Sequence, residues 1–185
     1  MLYTCGYYRH PAASLETAQE DKLELICRKL DLQPGERLLD IGCGWGALVA
    51  WAAERHGVAA HGVTLSTEQV LWAEQMLRRT GLTERARVEL RDWRDLPAGV
   101  RYDKIAAIGV VEHVGPRQTP AWLEAVHARL APGGRFLLHG ITHEKSWRYT
   151  GLSRFLERYV FPNGEIQKVS EILDRAERAR FEIEH

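Results

Sequence analysis

Apolar positions in this chain recur first at helical spacing and then in short continuous runs. Leu23, Ile26, Cys27 and Leu30 mark one face of a helix, and Thr17-Ala-Gln-Glu20 ahead of them has the form of a capping box. A helix is therefore expected to open at Thr17 and to stop before Pro34-Gly35. Beyond residue 36 strand-like runs alternate with helical stripes. Strands are expected over 37–41, 58–65, 86–90, 102–111, 135–141 and 181–184. Helices are expected over 47–56, ending at Gly57, and from a second capping box, Ser66-Thr-Glu-Gln69, through Arg79 to a stop at Gly81. Two more are expected to start at Thr119, with Pro120 in the first turn, and at a Ser170 cap. Pro132-Gly-Gly reads as the turn into the fifth strand. Strands separated by helices imply an α/β fold, a mostly parallel sheet with helices on both faces.

Two stretches stand outside this rhythm. Residues 1–13 hold Tyr3, Thr4, Cys5, Tyr7 and Tyr8 without periodicity, as expected of a segment that covers something. Residues 142–169 crowd Trp147, Tyr149, Phe155, Tyr159 and Phe161 into a stretch longer than an ordinary connection. That stretch reads either as an aromatic wall of a substrate pocket or as a helix packed on the sheet edge.

Composition narrows the setting more than the chemistry. A chain of 185 residues is long enough for one domain with a sizeable core. With 25 basic and 25 acidic residues the formal net charge is zero, so no bulk field draws the chain to nucleic acid, and none is expected as a partner. The three cysteines, Cys5, Cys27 and Cys43, lack metal-ligand spacing, the histidines likewise, and no metal is expected. Reduced thiols point to the cytoplasm, and the absence of a signal-peptide pattern or a transmembrane-length run leaves only peripheral membrane contact.

The chemistry concentrates where strands end. Leu38-Leu39-Asp40-Ile41 runs into Gly42-Cys-Gly44-Trp-Gly46, a strand–turn–helix with glycines at alternate positions. That spacing differs from the dinucleotide fingerprint, and no Gly-Lys-Ser/Thr follows to make a phosphate loop. Asp40 would repel a pyrophosphate and favours a cationic ligand group, such as the sulfonium or ammonium of S-adenosylmethionine. In an open parallel sheet, ligands bind beyond the carboxyl ends of the strands. Thr64 and Gln69 at such an end can hydrogen-bond ribose hydroxyls. Asp92 can accept from an adenine amine or cap a helix, and Trp93 can stack on a base or pack in the core. Glu112-His113 follows the fourth strand and His139 closes the fifth; a carboxylate and a histidine there can orient an acid–base group or a small anion.

Six stretches occur in a specific order: Tyr3-Thr-Cys-Gly-Tyr-Tyr8, Leu39-Asp-Ile-Gly-Cys-Gly-Trp-Gly46, Gly62-Val-Thr-Leu-Ser66, Val111-Glu-His-Val-Gly115, Leu137-Leu-His139 and Arg158-Tyr-Val-Phe-Pro162. Together they resemble the cyclopropane-fatty-acyl-phospholipid synthase family of S-adenosylmethionine-dependent methyltransferases, across essentially the whole chain. The resemblance implies a Rossmann-like class I methyltransferase fold. It implies that Tyr3, Thr4, Gly42, Gly44, Thr64, Gln69, Trp93 and Gly109 contact the cofactor. It also implies that Cys5, Glu112 and His139 surround a bicarbonate acting as general base, and that the acceptor is the cis double bond of an unsaturated phospholipid at a membrane surface. Methylation of a small amine, or cofactor binding without catalysis, are the alternatives. Family members extend further at both ends, so the chain reads as a fragment lacking the seventh strand. The fifth strand would then be left with an open edge, and a homodimer through that edge or an inward shift of the sixth strand is expected.

Overall fold

The computed structural model describes residues 2–143, 150–155, 158–159 and 166–184. They form two compact units, the first comprising residues up to 108 with Leu130–Leu137, the second Gly109–Arg129 with the described residues from Leu138 onward.

The first unit begins with α1 (Leu15–Leu30). Its cap is Ser14, whose hydroxyl accepts the Thr17 N–H at 3.1 Å, so the helix opens earlier than the Thr17 box suggests and Thr17 lies in the first turn. The unit continues with β1 (Arg37–Ile41), α2 (Ala47–His56), β2 (Ala59–Thr64), α3 (Thr67–Arg79), β3 (Ala86–Leu90), β4 (Tyr102–Ile108) and β5 (Leu130–His139), whose last two residues belong to the second unit. Ser66 caps α3 as expected, accepting the Gln69 N–H. The sheet order is β3-β2-β1-β4-β5, and β1 pairs in parallel with both β2 and β4, as β2 does with β3. Because β1 is central, four of its five residues are buried and it reads as a continuous apolar run around Asp40. The core gathers the apolar stripes of α1, α2 and α3, including Leu23, Ile26, Leu48, Val49 and Leu77, against Leu38, Ala60 and Val88 of the sheet.

Two strands differ from expectation. β4 stops at Ile108, not at 111, because Gly109 takes a left-handed φ of 69° and leaves the ladder. β5 starts at Leu130 and runs through Pro132-Gly-Gly, which is part of the strand and not a turn before it. The reason is close approach: a Cβ at Gly134 would stand 2.6 Å from the Asp103 carbonyl oxygen, so only glycine lets the chain lie there. β5 lies at an edge of the sheet, and its residues are half-buried or exposed.

The second unit contains α4 (Val111–Val114), α5 (Thr119–Arg129), a two-stranded parallel ribbon of β6 (Thr142–His143) and β7 (Gln167–Lys168), α6 (Gly151–Phe155) and α7 (Val169–Arg178). A buried polar network ties it together. The Gln167 side-chain amide donates to Thr119 Oγ1 at 2.9 Å, Thr119 Oγ1 donates to the Gly115 carbonyl at 2.8 Å, and Arg175 donates to Gln167 Oε1. α7 is preceded by Lys168 without a side-chain cap, so Ser170 lies inside the helix and does not cap it. No strand forms over 181–184. Arg180 turns with φ 69°, the Phe181 N–H closes the helix end on Ala176 O, and the Phe181 ring packs edge-on against His127 at 5.3 Å. The inward shift of a sixth strand is therefore not observed. Of the aromatic stretch, Trp147, Tyr149 and Phe161 fall outside the described residues, while Phe155 and Tyr159 are exposed and pack on each other with centroids 5.2 Å apart.

One glycine sets how closely α2 can approach the sheet. A Cβ at Gly62 in β2 would stand 2.7 Å from Cys43 Sγ and 2.8 Å from Val49 Cγ2. Gly62→Ala is expected to destabilise the fold by roughly 1–3 kcal/mol through overpacking, measured by denaturant unfolding; an unchanged midpoint would contradict this packing.

Candidate functional site

The β1–α2 turn is built by three left-handed glycines, Gly42, Gly44 and Gly46, with φ of 73°, 55° and 78°. The N–H groups of Gly42 and Cys43 both donate to Val63 O, which fixes the turn on β2. Above it lies a pocket partly open to solvent. Its wall includes Tyr3, Thr4, Lys22, Asp40, Gly42 and Gly44, so five of the residues expected at the cofactor converge here. Tyr3 crosses the glycine turn, with its ring 3.2 Å from where a Gly44 Cβ would be.

Asp40 is 3% exposed, and its carboxylate accepts no hydrogen bond and forms no ion pair among the described residues. Burial raises it from the ordinary 3.8 to about 7. The neighbouring thiols are inert for the same reason: burial pushes Cys27 up to about 12, and Cys43 upward too. Cys5 is exposed.

Lys22 is the pocket residue that the sequence reading missed. It is 6% exposed, lies on the buried stripe of α1 with Ala18 and Ile26, and donates from Nζ to Thr4 Oγ1 at 2.5 Å. Burial pulls its ammonium below the ordinary value, with Cys5 acting in the other direction. A lysine interrupting the apolar stripe of a helix was the signal available in the sequence. Gln19 adds a second tie, donating to Thr4 O at 2.8 Å.

The other expected cofactor residues are placed differently. Thr64 Oγ1 donates to Gln69 Oε1 at 2.5 Å, so these two hold each other at the end of β2. Asp92 caps a short 3-10 turn over Trp93–Asp95 and takes the Arg94 guanidinium on both oxygens, at 2.9 and 2.6 Å, which holds its carboxyl below the usual range. The same guanidinium lies 5.9 Å from the centre of the Trp93 ring. The capping role weighed for Asp92 is therefore the geometry observed.

In the second unit, the one-turn helix α4 places Glu112 at 2% exposure. Its Oε1 accepts the Ile141 N–H at 2.6 Å, and its Oε2 is buried without a hydrogen-bond partner among the described residues. The Gly109 N–H donates to His139 O at 2.8 Å, so the Gly109–Glu112 stretch runs beside the end of β5. Gly140 makes this possible, since a Cβ there would stand 2.5 Å from Val111 Cγ1 and 3.4 Å from both Glu112 oxygens. His139, expected beside Glu112 at a small anion, is exposed at the end of β5.

Asp40 carries a consequence for stability. A carboxyl raised from 3.8 to about 7 on folding stabilises the folded chain fully below pH 3.8, and that contribution is lost as pH rises to about 7, on the order of 4 kcal/mol in all. Asp40→Asn removes this dependence. The variant is expected to gain stability relative to the unsubstituted chain between pH 4 and pH 8, as read by thermal or denaturant unfolding at both pH values; a constant difference would show that Asp40 ionises normally.

Comparison with known proteins adds the family. The profile of "Mycolic acid cyclopropane synthetase" matches residues 1–185. The cyclopropane-fatty-acyl-phospholipid synthase of Escherichia coli K12 is 39% identical over 177 residues, covering 96% of this chain and 44% of that protein. Sphingolipid C9-methyltransferase 2 of Gibberella zeae is 36% identical over 192 residues, covering all of this chain and 37% of that protein. The crystal structure of mycolic acid cyclopropane synthase CmaA1 complexed with SAH and CTAB superposes with a TM-score of 0.89 at 31% identity, covering 100% of this chain and 68% of that one. The chain thus spans less than half the length of the curated relatives it matches. With a parallel sheet and helices of the class I methyltransferase type and a family match from end to end, the chain belongs to the mycolic acid cyclopropane synthetase family.

Proposed function

We propose that this chain carries the cofactor-binding and methyl-transferring part of an S-adenosylmethionine-dependent C-methyltransferase, acting on the cis double bond of an unsaturated phospholipid acyl chain to give a cyclopropane. The observation that carries this reading is the glycine-lined pocket with Asp40 buried and unpaired in its wall. A desolvated carboxylate without a counter-charge suits a cationic ligand and opposes a phosphate. Tyr3, Thr4, Asp40, Gly42 and Gly44 would hold the cofactor, with Thr64, Gln69, Asp92, Trp93 and Gly109 as further contacts. S-adenosylmethionine supplies an electrophilic methyl group on sulfur.

The acceptor chemistry explains the second set of residues. An alkene needs no deprotonation before it attacks; a C–C bond forms as the C–S bond breaks, leaving positive charge on the other alkene carbon. Ring closure then requires loss of a proton from the new methyl. Bicarbonate would supply the base, and a carboxylate left bare beside such a cation would itself risk alkylation. Glu112 fits the holding role, because Ile141 N–H occupies one oxygen and the other is buried and open to a hydrogen-bond donor. His139 and Cys5 keep, within this proposal, the roles the resemblance gives them. Among the described residues no helix is long and apolar enough to cross a membrane, so the lipid would be met at a membrane surface. Pairing of two chains through the β5 edge belongs to the same proposal.

Two measurements test it. Labelled methyl is expected to enter monounsaturated phospholipid vesicles and to be absent from saturated ones; transfer to small amines, or to no acceptor by a folded chain that binds S-adenosylhomocysteine, would overturn the acceptor. Glu112→Gln is expected to leave S-adenosylhomocysteine binding intact and to lower turnover roughly a hundredfold or more. Unchanged turnover would remove Glu112 from the mechanism.

A further inference from the structure

The pocket holds two opposite charges, and neither has a counter-ion among the described residues. Asp40 and Lys22 are each more than nine-tenths buried, both line the pocket, and they do not pair with each other. The remaining lining residues, Tyr3, Thr4, Trp45 and a set of aliphatic and glycine positions with Cys43, carry no formal charge. Buried charges are ordinarily paired, because desolvation without a partner is costly. Among the described residues Lys22 has one hydrogen-bond partner, the neutral Thr4 hydroxyl, which leaves two of the three ammonium donors for a ligand. A simple anion would satisfy Lys22 and leave Asp40 bare, and a simple cation would do the reverse. One class of group satisfies both at once: an α-amino acid, with its carboxylate and ammonium a short distance apart.

We propose that Lys22 is a cofactor-binding residue that takes the α-carboxylate of the amino-acid arm of S-adenosylmethionine, while Asp40 takes the cationic end of the same arm. The assignment rests on the cofactor reading above. It also gives Lys22 a second effect, since the same Nζ holds Thr4 in the pocket wall. The carboxylate and the N-terminal segment therefore share one cation.

The test is calorimetric titration of the chain with S-adenosylhomocysteine and with its decarboxylated analogue, which lacks only the carboxylate. The unsubstituted chain is expected to prefer S-adenosylhomocysteine by tenfold or more, because an analogue without the carboxylate leaves a buried ammonium unpaired. Lys22→Met is expected to lose that preference by weakening S-adenosylhomocysteine alone, and Lys22→Arg to retain most of it. Equal affinity of the unsubstituted chain for both ligands overturns the proposal without any variant. Equal weakening of both ligands by Lys22→Met also overturns it, leaving Lys22 as a tie for Thr4 only. If the folded chain binds neither ligand, the cofactor reading fails and the Lys22 assignment falls with it.

Discussion

The first unit depends on backbone and side chains meeting where a side chain would not fit. Gly62 lets Cys43 and Val49 press onto β2, and Gly46 brings the start of α2 to within contact of Ala73 and Val88. Because α2 is seated so deeply, the turn before it is pinned to Val63 by two N–H groups, and the pocket opens directly above the end of β1. The site is thus a product of packing density, and its glycines serve close approach as much as backbone conformation.

That burial also explains why the pocket is electrostatically unfinished. Water would solvate Asp40 and Lys22 if it reached them freely, yet both side chains are nearly inaccessible. Natural cores pair or neutralise such groups. Among the described residues neither finds such a partner, so the chain is less stable at neutral pH than its packing alone would allow. Ligand and fold then stabilise one another, as linkage requires.

Much of this was readable from residues alone where local patterns coincide with tertiary need. The bounds of β1, α2 and β3 follow from an apolar run, a helical stripe and a glycine stop, and the structure repeats them. Misreadings arose where local chemistry competes with a neighbour. Ser14 outcompeted Thr17 as the cap of α1, Gly109 ended β4 early, and the missing Cβ of Gly134 lets Pro132-Gly-Gly run within β5 close against the Asp103 carbonyl. At the site, the glycine turn, Tyr3 and Thr4 were legible because their spacing is itself the signal. Lys22 was not, since a single lysine on a helix is ordinarily solvated, and only the placement of α1 buries it. Phe181 likewise looked like strand because its β-propensity is real, yet the reversal at Arg180 sends it to His127 instead.

The fastening of the N-terminal segment has a kinetic meaning. Among the described residues three hydrogen bonds and an ion pair hold it to α1: Tyr7 N–H to Ala18 O, the Gln19 side chain to Thr4 O, Lys22 to Thr4 Oγ1, and Arg9 to Asp21 at 3.1 Å. Two of the hydrogen bonds converge on Thr4, while the Tyr7–Ala18 bond and the Arg9–Asp21 pair tie the segment further along. Any opening of the pocket wall at Thr4 has to break both of the Thr4 hydrogen bonds, a barrier distinct from the strength with which a pocket holds its ligand.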